Sequence, residues 1–193
     1  MTQNNNNLEN INEKATNKSF KTKRLATAAI FIGVGFVLSI LNPFAYFTIF
    51  GVKINPFAHF INALMGVLIG TPFAIVTALG IAILRYSFGL GTIHAFHGGI
   101  SGAIVVGISA AVLWKKKPKY VDLAALTEPI GTVFIGGTIA YVIAPIGGLP
   151  VIYGLLIYWG LFALSSVPGC ILGYFFLRLL RKAGISREDF YNK

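Results

Sequence analysis

Charged residues are scarce in this chain, where Asp, Glu, Lys and Arg make up 11% of 193 residues. Soluble domains carry about 25% charged residues, so the shortage argues against a soluble globular domain. A hydrophobic content of 55% likewise excludes a disordered chain. The shortage is greatest for acids, because 6 Asp and Glu stand against 16 Lys and Arg, giving a net charge of +10. The basic residues lie at the ends of apolar runs, which is typical of membrane proteins, and no nucleic-acid partner is expected.

The chain also lacks the residues that build several kinds of active centre. Its single cysteine, Cys170, excludes an internal disulfide and a thiol metal cluster, and no set of His, Asp and Glu has metal-ligand spacing. We therefore expect no metal and no cofactor. The glycine-rich GxxxxGK loop that cradles ATP phosphates is absent too. Uphill transport by this chain would draw its energy from an ion gradient or from a partner ATPase.

Long apolar runs predict an all-α integral membrane protein, folded as a compact bundle of six transmembrane helices. Proline is tolerated in the first turn of a helix and breaks its interior, so Pro56 and Pro72 mark two helix starts. The aromatic segment 44–55 and the segment 144–150 are predicted to be irregular connections. The six predicted helices cover residues 25–41, 56–69, 72–88, 93–114, 121–143 and 151–177.

The distribution of basic residues predicts the topology. Residues 1–20 are polar and are predicted to form a disordered tail, residues 21–182 the membrane domain, and residues 183–193 a second tail. Six crossings place both termini on one side of the membrane. If that side is the cytoplasm, every Lys and Arg except Lys53 and Arg85 is cytoplasmic. Because basic residues concentrate in cytoplasmic loops, we expect a multi-pass cell-membrane protein with both termini in the cytoplasm.

Ionisable residues inside a membrane are costly, and most face a cavity or the interior of a bundle. His59 and Asn62 share a face at the outer start of the second helix, and Arg85 lies at the outer end of the third. The other two histidines open the fourth helix at the same level, and Glu128 lies deeper, in the fifth. These positions predict an outward-facing polar pocket with one deeper acid. The alternative, that they are interfacial anchors or polar contacts between helices, stays open.

Small residues form two stripes that allow helices to approach closely. Ala29 and Gly33 lie four residues apart on the first helix, where a small face equally suits docking of another protein. The stripe on the fourth helix, for which packing inside the bundle is the favoured use, consists of Gly99, Ala103, Gly107 and Ala111.

One short run invites an enzyme interpretation. The run 99–102 (GISG) resembles the serine motif of rhomboid intramembrane proteases, which also have a six-helix core. That chemistry needs a histidine to take the proton of the serine, and in rhomboids the histidine comes from the sixth helix. The sixth predicted helix here contains no histidine. The chain is therefore not expected to be an enzyme.

Four motifs together are more specific than any single residue. They are the runs 56–62 (PFAHFIN), 83–92 (ILRYSFGLGT), 96–98 (FHG) and 128–132 (EPIGT). In combination they resemble the ThiW family of S components, the substrate-binding subunits of energy-coupling factor (ECF) transporters. The resemblance covers residues from about 23 to 180.

This resemblance implies a subunit that captures hydroxyethylthiazole, the thiazole precursor of thiamine. It also implies docking, through the small face of Ala29 and Gly33, on a transmembrane coupling subunit that is driven by two cytoplasmic ATPases. The segment 44–50 would cap the cavity, with Gly51 as a hinge. The substrate-binding residues that the resemblance implies are His59, Asn62, Arg85, Tyr86, Phe96 and Glu128.

Three positions depart from the family pattern. Ala58, Tyr86 and His97 stand where the pattern has Gln, Asn and Pro. The first two adjoin the expected site and bear on the identity of the ligand, whereas the third bears on how the fourth helix begins. The alternatives to a thiazole-binding subunit are an S component for another vitamin and a stand-alone carrier of small solutes.

Overall fold

The computed structural model describes residues 2–46, 48–49, 51–144 and 154–191, and for residues 2–13 and residue 45 it describes the backbone alone. Within these ranges the one β-type feature is an isolated bridge between Ile49 and Val52. The predicted all-α class is therefore confirmed. The α-helices of these ranges are α1 (Thr2–Leu41), α2 (Pro56–Leu68), α3 (Thr71–Ser87), α4 (His94–Lys116), α5 (Gly137–Ile143) and α6 (Leu155–Lys182).

The helical segments fall into two length classes. Among the described residues, those long and apolar enough to cross a membrane are Lys14–Leu41, His94–Lys116, Pro118–Ile143 and Leu155–Lys182. The helices α2 and α3 are apolar but have only 13 and 17 residues. At 1.5 Å per residue they are roughly 20 and 26 Å long, shorter than the ~30 Å hydrocarbon core of a bilayer. The six predicted runs are thus helical, and two of them are shorter than a full crossing.

The first helix begins well before its predicted start at residue 25. It runs from Thr2, so the polar segment that was expected to be a disordered tail has a helical backbone where it is described. The physical reason is that no glycine or proline precedes Gly33, so no strong helix breaker stops the helix from extending. The division of the chain into a membrane domain and two tails stays a prediction.

The fifth segment is not the single α-helix that was predicted. It begins as a 3₁₀-helix (Pro118–Thr127), continues as a π-helix (Ile130–Gly136) and ends as α5. Pro129 has no N–H and cannot continue an α-helical ladder, and the N–H of Glu128 bonds to Ala125 in the tighter 3₁₀ pattern. Pro129 therefore interrupts the α-helical hydrogen-bond pattern beside the buried acid.

The prolines predicted two other boundaries well. Pro56 is the first residue of α2, and Pro72 is the second residue of α3. The sixth helix continues to Lys182, beyond its predicted end at residue 177. Its predicted start at residue 151 and the predicted connection at 145–150 lie outside the described residues.

Segments from the two ends of the chain meet at one end of the bundle, which we call the inner end. Lys23 Nζ donates to the carbonyl of Asp189 at 2.7 Å. The guanidinium of Arg24 lies 4.5 Å from the ring centroid of Tyr191. At the opposite end, which we call the outer end, lie residues 42–55 and the turn between α3 and α4. The functional groups expected from the sequence lie toward this outer end.

Candidate ligand-binding site

Two asparagines fasten the segment between α1 and α2 at the outer end. Asn42 Nδ2 donates to the carbonyl of Ile54 at 2.8 Å, which closes the segment into a loop. The side chain of Asn55 accepts from two N–H groups in the first turn of α2, and its Nδ2 donates to Ser39 Oγ at 2.8 Å. The N–H of Asn55 donates to Ser165 Oγ of α6 at 2.9 Å. The start of α2 is therefore held against both α1 and α6.

A fully buried acid lies deeper in the bundle. Glu128 is 0% exposed, and its Oε1 lies 2.8 Å from His59 Nδ1 and 2.6 Å from Thr132 Oγ1. Asn62 Nδ2 approaches the same oxygen at 3.4 Å, and Ser166 Oγ donates to Oε2. A buried polar group costs little only when its hydrogen bonds are made. The cluster meets this condition with partners from α2, the π-helix and α6.

A small cavity lies beside this cluster, between α2, α3, α4 and α6. Its volume is about 30 Å³, roughly twice the least volume that holds one ordered water molecule. Its apolar lining includes Ala78, Ile81, Ala82 and Phe162. Its polar lining includes Lys53, His59, Asn62, Arg85, His94 and Ser165.

Two histidines of α4 form a hydrogen-bonded chain that ends at the cavity. His97 Nδ1 lies 3.0 Å from the carbonyl of Gly136, which can only accept, so the proton of a neutral His97 is assigned to Nδ1. His97 Nε2 is then an acceptor, and it lies 3.0 Å from His94 Nδ1, which must donate. The other nitrogen of a neutral His94, Nε2, is consequently an acceptor. It is buried and has no hydrogen-bond partner among the described residues.

Arg85 occupies the last turn of α3, which ends in a Schellman motif. The N–H of Leu90 bonds to the carbonyl of Arg85 at 2.8 Å, and Gly89 supplies the left-handed residue with φ +69°. The turn brings the chain back over Arg85, which is 5% exposed and lines the cavity. Within the described part of the chain, its Nε has no hydrogen-bond partner.

The comparison with known families decides what kind of protein carries this cavity. A family model described as "Thiamine-precursor transporter protein (ThiW)" matches residues 25–183. The chain belongs to the ThiW family. With its long apolar helices it is a multi-pass membrane protein, and its function class is the transport of a thiamine precursor. Searches of curated proteins and of solved structures found no match.

The loop between α1 and α2 contributes to the cavity of this ThiW protein. Because α2 is shorter than the hydrocarbon core, non-helical backbone fills part of the membrane depth beyond its end. Such backbone is tolerated where it is buried in protein or lines a cavity. Val52 and Lys53 line the cavity next to Gly51, whose φ is +78°. Of the aromatic residues that were expected to cap it, Phe44 and Tyr46 are exposed and do not line the cavity. Phe47 and Phe50 lie outside the described residues.

The structure brings together four of the six predicted substrate-binding residues. His59, Asn62 and Arg85 line the cavity. Glu128 does not line it and instead bonds to His59 and Asn62 from behind. Glu128 is therefore placed to orient His59 and Asn62, two side chains that line the cavity.

The two other predicted residues do not line the cavity. Tyr86 is 54% exposed, and its ring packs edge to face against Phe96, with 5.8 Å between centroids. Consecutive residues of a helix do not share a face, so an inward Arg85 turns Tyr86 outward. That periodicity was available in the sequence and separates Tyr86 from the site.

Several polar residues of the site were missing from the predicted set. His94, Ser165 and Lys53 line the cavity, and Thr132 and Ser166 bond to Glu128. The sequence carried a signal only for His94, as one of the histidines that open α4 at the outer end. Serine and threonine are common wherever membrane helices pack. No sequence pattern therefore singled out Thr132, Ser165 and Ser166.

The two stripes of small residues serve different surfaces. On α4, Ala103 is 0% exposed, and a Cβ at Gly107 would lie 2.6 Å from Thr71 Cα. The predicted use of this stripe inside the bundle is confirmed. Ala29 and Gly33 are exposed on α1, and no neighbouring atom lies within 4 Å of the place of a Cβ at Gly33. This second stripe has no partner in the described bundle.

The serine motif of α4 has an ordinary structural use. Ser101 Oγ donates to the carbonyl of His97, one turn earlier in the same helix, at 2.7 Å. Within the described residues, no group of three or more His, Cys, Asp and Glu could hold a metal ion. The chemistry that the site offers is recognition through hydrogen bonds and apolar contact.

Proposed function

We propose that this chain is the substrate-binding subunit of an ECF-type importer and that it captures hydroxyethylthiazole in the outer cavity. The observation that carries the proposal is the buried, unpartnered Nε2 of His94 at the cavity of a ThiW family member. As an acceptor, this nitrogen calls for a ligand that brings a hydroxyl or N–H donor. The hydroxyl of hydroxyethylthiazole is such a donor.

The rest of the cavity suits a small aromatic ring. Ile81, Ala82 and Phe162 offer an apolar wall, and small-molecule sites combine such walls with a few orienting polar groups. Asn62 is held in place by bonds from its Nδ2 to the Gly99 carbonyl, at 2.9 Å, and to Glu128. At about 30 Å³ the cavity must widen before the ring fits. We expect this widening to come from movement at the anchors Asn42 and Asn55.

Binding can be tested with a matched pair of ligands. Isothermal titration of the purified protein should show hydroxyethylthiazole binding roughly fivefold tighter than its chloroethyl analogue, which lacks the donor, since a hydrogen bond contributes about 1 kcal/mol. His94→Phe should remove this difference, because the acceptor is gone. Equal binding of the two ligands by the unmodified protein would contradict the role of His94. Tight binding of a different vitamin would reassign the ligand.

Uptake against a gradient needs an energy source. The given sequence contains no GxxxxGK loop with which to bind ATP. We assign that role to a transmembrane coupling subunit with two cytoplasmic ATPases, docked on the exposed face of Ala29 and Gly33. Close helix approach over small residues gives van der Waals contact summed over many atoms. Co-purification with an ATPase pair is the expected result, and uptake by the chain alone would indicate a stand-alone carrier.

The orientation can be tested with single cysteines. In a Cys170→Ala background, a cysteine at Lys117 should be protected from an impermeant reagent in intact cells. A cysteine at Phe88, which is exposed at the outer end, should react. The reverse labelling pattern would place the termini outside.

A further inference from the structure

Arg85 carries a buried positive charge that nothing in the described structure balances. Its guanidinium forms no ion pair or hydrogen bond with any described residue, although it is only 5% exposed. Its Nε–H donor is buried without an acceptor among the described residues, and an unmade hydrogen bond of this kind is unfavourable. Lys53 adds a second positive group to the cavity lining, with its Nζ held on the carbonyl of Gly89.

Two of the six acids bind partners other than Arg85. Glu128 bonds to His59, Asn62, Thr132 and Ser166, and Asp122 forms a two-pronged pair with Arg181 at 2.7 Å. The four other acids belong to the terminal segments, which precede Lys23 or follow Arg187. Lys23 and the C-terminal segment meet at the inner end, whereas Arg85 lies at the outer end. The cavity wall therefore carries positive charge with no acid in its lining.

We propose that the cavity holds an anion against Arg85. A buried charge is tolerated when a partner charge neutralises it, and here the partner comes from outside the chain. Its chemistry is that of a small anion: a carboxylate or phosphate borne by the thiazole ligand, or a free inorganic anion bound beside a neutral thiazole. The anion subsite itself stands on the geometry of Arg85, and only its link to a thiazole rests on the proposed function.

The turn after α3 is built around this guanidinium. A Cβ at Gly91 would lie 3.1 Å from Arg85 Cβ, so glycine lets the loop close tightly over the arginine stem. Asn62 and His94 line the same cavity. An arginine that served only as an interfacial anchor would keep its head in water, and a head that is buried without a partner does not fit that use.

The first experiment measures anion binding without any thiazole. Thermal unfolding of the detergent-purified protein is followed in sodium gluconate, whose polyhydroxylated anion serves as the reference, and with added chloride or phosphate. Chloride or phosphate should raise the unfolding temperature of the unmodified protein and of Arg178→Gln, an exposed arginine on α6 that controls for net charge. The rise should vanish in Arg85→Gln. An equal rise in all three proteins, or no rise in any, overturns the proposal.

The same scans separate a binding arginine from a structural one. Without ligand and in gluconate, Arg85→Gln should unfold at the same or a higher temperature than the unmodified protein, because an unbalanced buried charge has been removed. A structural arginine would lower the unfolding temperature when replaced. A lower temperature together with an unchanged chloride response contradicts the anion subsite.

The second experiment identifies the source of the anion. Affinities of hydroxyethylthiazole, its phosphate monoester and the corresponding thiazolyl acetic acid are compared in gluconate and in chloride. A preference of about tenfold for either acid in gluconate indicates a ligand-borne anion, and a gain of about tenfold for the alcohol in chloride indicates a free one. Either effect should be absent in Arg85→Gln. If the alcohol binds equally in both salts and at least as tightly as the acids, the proposal fails. If no thiazole binds while the Arg85-dependent thermal shift persists, the proposed function fails and the anion subsite stands.

Discussion

Arg187 at the inner end and Arg85 at the outer end are each 5% exposed, and they differ in what surrounds them. Arg187 donates through Nη1 to the carbonyls of Val67 and Gly66, at the C-terminal end of α2. Its guanidinium also lies 4.4 Å from the ring centroid of Tyr191. Burial lowers the pKa of the Arg187 side chain from its ordinary value, and Tyr191 acts in the opposite direction. The Nε atoms of both arginines are buried without a partner among the described residues, so the two side chains differ at their terminal nitrogens, for which Arg85 has no comparable partners there.

The difference separates structure from ligand binding. The last carbonyls of a helix have no partners within the helix, and a cation near them is stabilising. Arg187 therefore caps α2 and fastens the C-terminal segment to the bundle. The outer end is organised in the opposite way, with an unpartnered donor at Arg85 and an unpartnered acceptor at His94 facing one cavity. Substitutions at the inner end should change stability or assembly, and substitutions at the outer end should change ligand binding.

The largest effect is expected on the exposed face of α1, where we propose that the coupling subunit docks. Gly33→Trp or Ala29→Trp should abolish co-purification with the coupling subunit and ATPases, because a bulky side chain prevents close approach on the exposed face of α1. Ligand affinity of the isolated variants should be unchanged. The matched control is Gly35→Ala on the buried side of the same helix, where the new methyl group would crowd Ile81 and lower stability. Loss of ligand binding in Gly33→Trp would place this face in the bundle core.

Arg187→Met should destabilise the bundle by about 1–3 kcal/mol, since buried carbonyls at the end of α2 lose their donor. The measurement is thermal or denaturant unfolding of the purified protein in detergent. Arg178→Met, at an exposed position of α6, serves as the control and should change little. A weaker ligand affinity in the folded Arg187→Met protein would contradict the assignment of stability to the inner end and of ligand binding to the outer end.

Glu128→Gln should weaken ligand binding by roughly tenfold while the bundle stays folded, because an amide accepts with one oxygen and holds His59 and Asn62 less firmly. Titration calorimetry gives the affinity, and an unfolding scan gives the stability. Glu128→Leu should lower stability as well, since His59, Asn62 and Ser166 would then be buried without their common acceptor. Unchanged affinity in Glu128→Gln would reduce the cluster to a contact between helices.

The smallest effect is expected at the two predicted residues that lie outside the cavity. Tyr86→Phe and Phe96→Leu should each change ligand affinity less than about threefold, because neither side chain lines the cavity and their mutual packing is peripheral. His94→Phe, measured in parallel, supplies the contrast. A tenfold loss in Tyr86→Phe would show that the bound state draws the α3–α4 turn inward.

Several features followed from the sequence because local chemistry determines them. Pro56 and Pro72 marked the starts of α2 and α3. Scarce polar and ionisable side chains within the apolar runs marked His59, Asn62, Arg85 and Glu128. The rest depends on contacts between distant segments. The π-helix beside Glu128 requires Gly131 to pack on the backbone of α4 at Ser101, which no local pattern predicts. Likewise, Ser166 and Thr132 belong to the site only because their helices meet at one acid.

The small volume of the outer cavity has a kinetic consequence. A thiazole ring needs more room than this cavity offers, so under the proposed function we expect the anchors at Asn42 and Asn55 to part before the ligand binds. The observed association rate should then level off at high ligand concentration, at the rate of loop opening. Dissociation passes through the same opening, so a bound ligand should stay long after free ligand is removed. Weakening one anchor away from the cavity lining, as in Ser39→Ala, which removes the acceptor of Asn55 Nδ2, should accelerate both steps more than it changes the equilibrium constant.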